Sequence, residues 1–163
     1  MLSNIDQADI YGIEVDLDFV PNEHVEFYAS LGFIDNEVED SDPAFDGNEV
    51  AATPRWNYNL MGRLNYPLGG TGTVTLQASY SWQDDVFFGV DNDPLERFES
   101  YGVADARLIW RSMDEKYVLE AYVQNLSDEE YLVHSFTSGA AGGGAVGIWG
   151  LPRTYGIRAT VNF

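Results

Sequence analysis

Apolar and polar residues alternate with a period of two along most of the chain, a pattern typical of strands with two different faces. The segment 73–82 shows it most clearly, since its apolar side consists of Val74, Leu76, Ala78, Tyr80 and Trp82. The same alternation occurs in segments 11–19, 25–33, 56–66, 101–110, 116–126 and 154–163. Segment 101–110 is less regular, because Val103 and Ile109 fall on its polar side. The sequence therefore predicts an all-β protein with about seven strands.

The connections between these strands alternate between short and long. Strands 1–2, 3–4 and 5–6 are joined by VPNEH, PLGGTG and RSMDE, which suit tight hairpin turns. The other three connections span about 34–55, 83–100 and 127–153. This regular alternation is typical of an up-and-down outer-membrane barrel, with short periplasmic turns and long external loops. We expect strands 1, 3, 5 and 7 to run inward, so that the last strand ends at the periplasmic side.

The composition of the two strand faces favours a membrane environment. The apolar faces often begin and end in an aromatic residue, as in Trp56 and Tyr66 or Tyr155 and Phe163. Such residues form girdles at the two membrane interfaces. The strands have about the 9–11 residues that a crossing requires. The alternative is a water-soluble β-sandwich with aromatic inner faces. The pattern favours an antiparallel transmembrane β-barrel segment.

This interpretation assigns each strand face to lipid or to the lumen. The side chains predicted to face lipid are Tyr11, Ile13, Val15, Leu17, Leu60, Leu64, Val74, Leu76, Ala78, Ile157 and Val161. The side chains predicted to line the lumen are Glu14, Asp16, Asp18, Glu26, Arg63, Gln77, Asp105, Arg107, Glu120 and Arg158. Charge is permitted in a wet lumen, whereas Arg or Lys facing lipid costs about 2–4 kcal/mol near mid-membrane.

The charge balance narrows the classes of partner. The 163 residues contain 8 Lys and Arg against 27 Asp and Glu, for a net charge of −19. A chain this acidic repels phosphate, so we expect no nucleic-acid partner. Cysteine is absent from the sequence, which excludes disulfides and cysteine-based metal sites. Residues 1–10 lack the basic and apolar regions of an export signal.

The sequence contains no catalytic signature, so neither an enzyme nor a cofactor is expected. Acidic residues in the first two long loops suggest calcium, but their spacing does not match an EF-hand, and a solvated acidic surface is the preferred interpretation. We therefore predict no metal site. Candidate ligand contacts in the loops are Phe45, His134, Phe136 and Trp149. The alternative is that these four residues pack against neighbouring loops.

The C-terminal region resembles that of TonB-dependent outer-membrane receptors. The matching features are Asn125-Leu126 with Asp128 and Tyr131, followed by Pro152-Arg153, Tyr155-Gly156 and a final Phe163. Segments ADIYGIEVDLDF and Pro54 to Asn57 are similar to other strands of these barrels. The resemblance covers essentially the whole chain. It implies a barrel of roughly 22 strands around a plug domain, of which residues 1–163 supply about seven strands and no plug.

The resemblance also implies a function and a set of partners. We expect import of a ferric chelate, cobalamin or a carbohydrate across the bacterial outer membrane, driven by the TonB system through the missing plug. Lumen residues would contact that plug, and the wall would contact lipid and lipopolysaccharide. Phe163 resembles the C-terminal aromatic residue that barrel-assembly machinery recognises. Two alternatives are a small outer-membrane adhesin or structural barrel, and a soluble acidic β-domain that binds calcium or glycan.

Overall fold

The structure, a computed structural model, describes residues 5–138 and 144–163. The strands in these ranges are β1 (Gln7–Asn22), β2 (Val25–Glu39), β3 (Trp56–Pro67), β4 (Thr73–Gln83), β5 (Val86–Phe87), β6 (Arg97–Phe98), β7 (Tyr101–Arg111), β8 (Tyr117–Gln124), β9 (Leu132–Ser138), β10 (Gly144–Trp149) and β11 (Thr154–Val161). Two short 3-10 turns lie at Gly69–Thr71 and Pro94–Glu96. In these ranges, no helix is long and apolar enough to cross a membrane.

Seven strands form one antiparallel sheet in the order β1-β2-β3-β4-β7-β8-β11. Each strand pairs with the next one in this order, so the sheet is an antiparallel meander. Two small hairpins interrupt the chain between its strands: β5–β6 lies between β4 and β7, and β9–β10 lies between β8 and β11. The seven predicted strands and their antiparallel order are confirmed. The sheet does not close on itself, because β1 and β11 do not pair.

The structure extends two strands beyond their predicted ends. β1 begins at Gln7 and β2 continues to Glu39, and the pairing runs without interruption from Gln7 opposite Glu39 to Phe19 opposite Phe27. In the added part of β2, residues 34–39, the positions that continue the apolar face are the acids Asp35, Glu37 and Glu39, whereas Ile34 and Val38 fall on the other face. The alternation that predicted β2 therefore ends at Phe33, and backbone pairing with β1 holds residues 34–39 extended.

Two long connections contain small hairpins that the alternation did not predict. β5 pairs with β6 through two residue pairs, and β9 pairs with β10 between Leu132 and Trp149. We name the long connections loop 1 (residues 40–55), loop 2 (84–100, with β5 and β6) and loop 3 (125–153, with β9 and β10). The glycine-rich stretch of loop 3 falls partly at 139–143, outside the described residues.

The short turns lie at the opposite end of the sheet from the loops. In the β7–β8 turn, the Ser112 hydroxyl donates to Asp114 at 2.7 Å and accepts from the Tyr117 backbone at 2.9 Å. The neighbouring β3–β4 turn ends at Gly72, whose φ is +117°. A Cβ there would collide with the Arg111 carbonyl oxygen, so the two turns can touch only because this residue is glycine.

The sheet encloses almost no hydrophobic core. Among the described residues, the buried hydrophobic side chains are Val38 and Val86, both at the loop end. Large apolar side chains on the strands stay exposed, for example Ile13 at 67 % and Ile157 at 83 %. An apolar surface this large is unfavourable in water and marks a contact with lipid or protein. The sheet is therefore built as a wall with two accessible faces.

Candidate functional site

The strand register separates the side chains of the sheet into an apolar face and a polar face. Residues directly opposite each other on paired strands share a face. One continuous row runs Glu26, Arg63, Gln77, Arg107 and Tyr122 across five strands. The row beside it is made of Phe27, Gly62, Ala78, Ala106 and Val123 and lies on the opposite face. Every residue predicted to line the lumen belongs to the polar face, and every residue predicted to face lipid belongs to the apolar face.

Aromatic residues border the apolar face at its two ends. Toward the loops, Phe33 packs on Trp56 with ring centroids 4.5 Å apart, and Tyr58 stacks on Trp82 at 5.3 Å. Toward the turns, Tyr66 is the last aromatic residue of β3. The ten residue-to-residue steps from Trp56 to Tyr66 cover about 33 Å of strand. A tilt of about 45° reduces this length to roughly 23 Å of height, close to the apolar band of outer-membrane barrels.

Hydrogen bonds connect the polar face at its turn end. The Arg63 guanidinium donates to Glu26 at 2.6 Å and to Gln77 at 3.3 Å. The Asn65 amide donates to the same Glu26 at 3.2 Å and accepts from the Thr75 hydroxyl at 2.7 Å. These groups line a cavity of about 440 Å³ on the polar face. The charge of Arg63 is therefore balanced by Glu26 within the wall.

A second polar group lies on β8 and β11. Arg158 forms an ion pair with Glu120 at 3.5 Å, and its guanidinium lies 6.0 Å from the centre of the Tyr122 ring. Both residues line a smaller cavity of about 140 Å³ together with Asp105 and Arg107. Asp105 accepts from the Asn125 backbone N–H at 2.9 Å and so connects this face to loop 3.

Loops 1 and 2 are joined by hydrogen bonds in both directions. The Asn92 side chain accepts from the Glu49 backbone N–H at 2.8 Å and donates to the Glu49 carbonyl at 3.0 Å. Asn48 donates to the Val90 carbonyl at 2.9 Å. The Val50 backbone donates to the side chain of Asn36 at 2.6 Å. Because Asn36 belongs to the polar face, this bond holds Val50 of loop 1 on the polar side of the wall.

Loop 3 is fastened at its base by Asn125, which is 3 % exposed. Its amide donates to the carbonyls of Glu129 and Leu151 at 2.9 and 3.1 Å, and its oxygen accepts from the Glu129 N–H at 2.8 Å. Asp128 accepts from the Arg153 N–H at 2.9 Å and lies 3.6 Å from its guanidinium. Asn125 and Asp128 at the start of loop 3 thus bind Leu151 and Arg153 at its end, and we call this set of bonds the clamp of loop 3. Asn125, Asp128 and Arg153 are also among the residues that carried the resemblance.

Of the four predicted ligand contacts, His134, Trp149 and Phe45 have described surroundings, and these surroundings differ. The His134 ring meets the edge of Phe88 in loop 2, with centroids 5.2 Å apart. Trp149 is 61 % exposed and lines a cavity of about 390 Å³ with Tyr131. Phe45 lies in the tight turn of loop 1, where its N–H donates to the Asp42 carbonyl at 2.9 Å. The side chain of Phe136 lies outside the description. Whether these residues bind a ligand stays a prediction.

Sequence analysis did not identify Phe88 or Tyr131 as site residues. Phe88 contacts both Phe98 at 4.7 Å and His134, so it joins loop 2 to loop 3. Tyr131 stacks on Tyr101 at 4.4 Å, which places the start of loop 3 beside the polar face. The aromatic content of the loops was a signal for such contacts, but the pairing depends on how separate loops fold together.

The acidic loops use part of their charge in local contacts. Asp85 accepts a 2.8 Å hydrogen bond from Arg97, and this bond raises the pKa of the Arg97 guanidinium. Asp93 accepts from the Leu95 backbone at 2.9 Å and starts the Pro94–Glu96 turn. Asp40 and Asp46 line an open cleft with acids of β2. In residues 5–138 and 144–163, no three His, Asp or Glu side chains are arranged to hold a metal ion.

Comparison with known proteins identifies a matching family. The model of the family described as TonB dependent receptor-like, beta-barrel matches residues 1–126, more than half of the chain.

Solved structures share the fold over most of the chain. The ferric yersiniabactin uptake receptor FyuA from Yersinia pestis superposes with a TM-score of 0.88 at 23 % identity, covering 100 % of this chain and 25 % of that one. BauA, the ferric preacinetobactin receptor from Acinetobacter baumannii, gives 0.72 at 19 %, with 93 % and 22 % covered. The ferric citrate transporter FecA gives 0.65 at 21 %, with 86 % and 21 % covered. The chain thus spans about a quarter of the length of these receptors.

Proposed function

Because the chain belongs to the TonB-dependent receptor β-barrel family, we propose that residues 1–163 form the C-terminal part of the barrel of an outer-membrane receptor that imports a scarce solute. The observation that carries this proposal is the seven-stranded sheet, whose register puts apolar and polar side chains on opposite faces and whose long loops lie at one end. In this proposal the apolar face contacts lipid, the polar face lines the lumen, and the loops are external.

The segment would contribute wall and loops to transport, with no bond-making chemistry. The external loops would capture the solute, and the TonB system would open the path by pulling on a plug domain inside the barrel. The contacts between loops 1 and 2 and between loops 2 and 3 support this role, because they hold the mouth as one connected surface. We propose Trp149 and His134 as its ligand contacts.

A ferric chelate is the solute class that the similarities favour. FyuA, BauA and FecA are named for ferric yersiniabactin, ferric preacinetobactin and ferric citrate. Their identity to this chain is low, so the individual chelate does not follow from them. Cobalamin and carbohydrate remain the competing solutes.

The proposal includes the partners of a membrane wall. Outer-membrane lipid and lipopolysaccharide would cover the apolar face, whose side chains are otherwise exposed. Phe163 is fully exposed at the turn end and is available to barrel-assembly machinery.

The test is an uptake experiment with the complete receptor, obtained by extending the reading frame upstream. Cells lacking the receptor gene are complemented with the wild type or with a variant, and uptake of radiolabelled ferric chelates, cobalamin and maltodextrin is measured. We expect outer-membrane localisation and saturable uptake of a ferric chelate that requires TonB. The Trp149→Ala variant should raise the half-saturating concentration about tenfold.

The matched control is Leu95→Ala, because Leu95 is a loop residue of similar exposure, 68 % against 61 % for Trp149. This variant should leave uptake unchanged. An in-frame stop codon directly upstream together with cell adhesion but no uptake would instead support a small adhesin barrel. Recovery of the chain in the soluble fraction with bound calcium or glycan would support the soluble alternative.

A further inference from the structure

The two ends of loop 3 meet in a neck, residues 128–131 and 149–152, which encloses a cavity of about 390 Å³. The Gly150 N–H donates to the Tyr131 carbonyl at 2.8 Å and joins the two halves of the neck. Three rings and three carboxylates line the cavity: Tyr131, Trp149, Pro152, Asp128, Glu129 and Glu130. A concave site that combines rings with a few charged groups is the usual form of a small-molecule site.

The two aromatic rings of the neck are held differently. Tyr131 stacks on Tyr101 with ring centroids 4.4 Å apart, and a Cβ at Gly150 would collide with the Tyr131 ring. This ring is therefore packed in place. Trp149 is 61 % exposed and makes no ring contact among the described residues. Its indole face is open to a group that enters the cavity.

The carboxylates of the neck are not equally balanced. Asp128 lies 3.6 Å from the Arg153 guanidinium and accepts its backbone N–H at 2.9 Å. The side chains of Glu129 and Glu130 form no ion pair or hydrogen bond in the part of the chain that the structure describes. Asn125 fixes the Glu129 backbone through two hydrogen bonds. The neck thus carries two negative charges without an ion-pair partner beside an open indole.

The charge of the three loops acts in the same direction. Loops 1, 2 and 3 together contain 13 Asp and Glu against three Arg. A surface of this sign raises the local concentration of cationic solutes and repels anionic ones. An ammonium or guanidinium group bonds to carboxylates and is attracted to the face of a tryptophan ring. Such a group would satisfy both kinds of lining at once.

We infer that the neck of loop 3 is a binding site for a cationic organic group, an ammonium or guanidinium carried by the imported solute, with Trp149 against the cation and Glu129 and Glu130 as its counter-charges. The inference rests on the proposed function, in which Trp149 contacts the solute, and it narrows the solute class. A ferric chelate with a free amine or guanidine fits this site, whereas a chelate whose free groups are carboxylates is repelled.

Fluorine NMR of the complete receptor in a non-ionic detergent tests the site directly. The receptor is labelled with fluorotryptophan, and the Trp149 resonance is identified by its loss in Trp149→Phe. The probes are choline, which carries a trimethylammonium group, and its uncharged isostere, in which a tert-butyl group replaces that cation. Choline should shift the Trp149 resonance saturably in the millimolar range, and the isostere should not.

Glu129→Gln/Glu130→Gln should weaken choline binding about tenfold, because both counter-charges are lost while the side chains keep their size. The matched control is Glu37→Gln/Glu39→Gln, which removes the same charge from two exposed glutamates of β2 in the open acidic cleft. This control should bind choline as the wild type does. Unchanged resonances of the other tryptophans verify that both variants are folded.

Equal weakening in the two variants would assign the effect to the general charge of the loops and overturn the site. An equal response of Trp149 to choline and to its isostere, or no response to choline, would also overturn it. Uptake separates this inference from the function on which it rests. TonB-dependent uptake of a chelate without a cationic group would overturn the inference and leave the proposed function. Choline binding at Trp149 without uptake of any solute would leave the site and overturn the proposed function.

Discussion

Asn125 shows how a single residue decides the placement of a whole loop. Its φ is +52°, in the left-handed region that asparagine tolerates better than most residues. In that conformation its side chain reaches the backbone on both sides of loop 3 and bonds Glu129 and Leu151. Asn125 is buried and its bonds are partly buried, so their loss leaves polar groups with little water and no partner.

We therefore expect Asn125→Ala to destabilise the base of loop 3 by about 2–3 kcal/mol, because several buried groups lose their partners together. Limited proteolysis and hydrogen exchange of residues 125–153 in the complete receptor measure this effect. The neighbouring exposed residue provides a control, and Gln124→Ala should leave both rates unchanged. Equal protection in wild type and Asn125→Ala would show that the clamp does not hold the loop.

Asp114 gives the β7–β8 turn a dependence on pH. The Ser112 hydroxyl and then the Lys116 N–H donate to its carboxylate and lower its pKa below the ordinary value. A carboxyl whose pKa is lowered on folding adds stability above its unfolded pKa and loses it as pH falls through the folded value. The turn should therefore keep its protection at neutral pH and lose it only below about pH 4.

Hydrogen exchange at Lys116 and Tyr117 across an acid titration tests this prediction. The Asp114→Asn variant should show weaker protection at neutral pH, because a neutral amide is a weaker acceptor, and a flatter pH profile. A wild-type profile identical to that of Asp114→Asn would show that the carboxylate has no part in the turn.

At the scale of the strand, the two faces differ in which substitutions they can accept. Ala78 and Ser79 are neighbours on β4, yet the register places Ala78 beside Gly62 and Ala106 on the apolar face and Ser79 beside Met61 and Asp105 on the polar face. A one-residue shift would exchange the two environments, so the register fixes the contacts of every strand residue.

The orientation proposed for the wall predicts opposite results for an arginine at these two positions. Ala78→Arg would place a charge against lipid and should destabilise the barrel by about 2–4 kcal/mol, whereas Ser79→Arg should cost little because water and Asp105 are close. Urea unfolding of the receptor in detergent and its level in the outer membrane measure both variants. A larger loss for Ser79→Arg would mean that the faces are reversed.

At the scale of the whole molecule, the odd number of strands prevents closure by self-association. With seven antiparallel strands, β1 and β11 run in the same direction. Head-to-tail pairing of two copies would then join parallel strands, unlike every other pair in the sheet. Antiparallel closure requires a segment with an odd number of strands, which the remainder of a larger barrel can provide.

The isolated chain should consequently aggregate in buffer or require detergent, because its edges offer unpaired backbone groups and its apolar face lacks a cover. Size-exclusion chromatography and sedimentation with and without detergent measure this behaviour. A monodisperse, folded monomer in plain buffer would contradict both the membrane wall and the open edges.

The sequence determined the seven strands, their antiparallel order and the division of their faces, because alternation with a period of two and short turns are local properties of the chain. The alternation in segment 73–82 was enough to predict β4, and the sequence alone also placed Ile109 on the polar side of its strand. The tertiary structure decided what depends on distant residues: the extension of β2 by pairing with β1, the clamp of Asn125 to Leu151, and the pairing of Asn92 with Glu49. It also decided which arginines form ion pairs within the wall, such as Arg63 with Glu26 and Arg158 with Glu120. These pairs join different strands, and the distance between the partners in the sequence does not predict them.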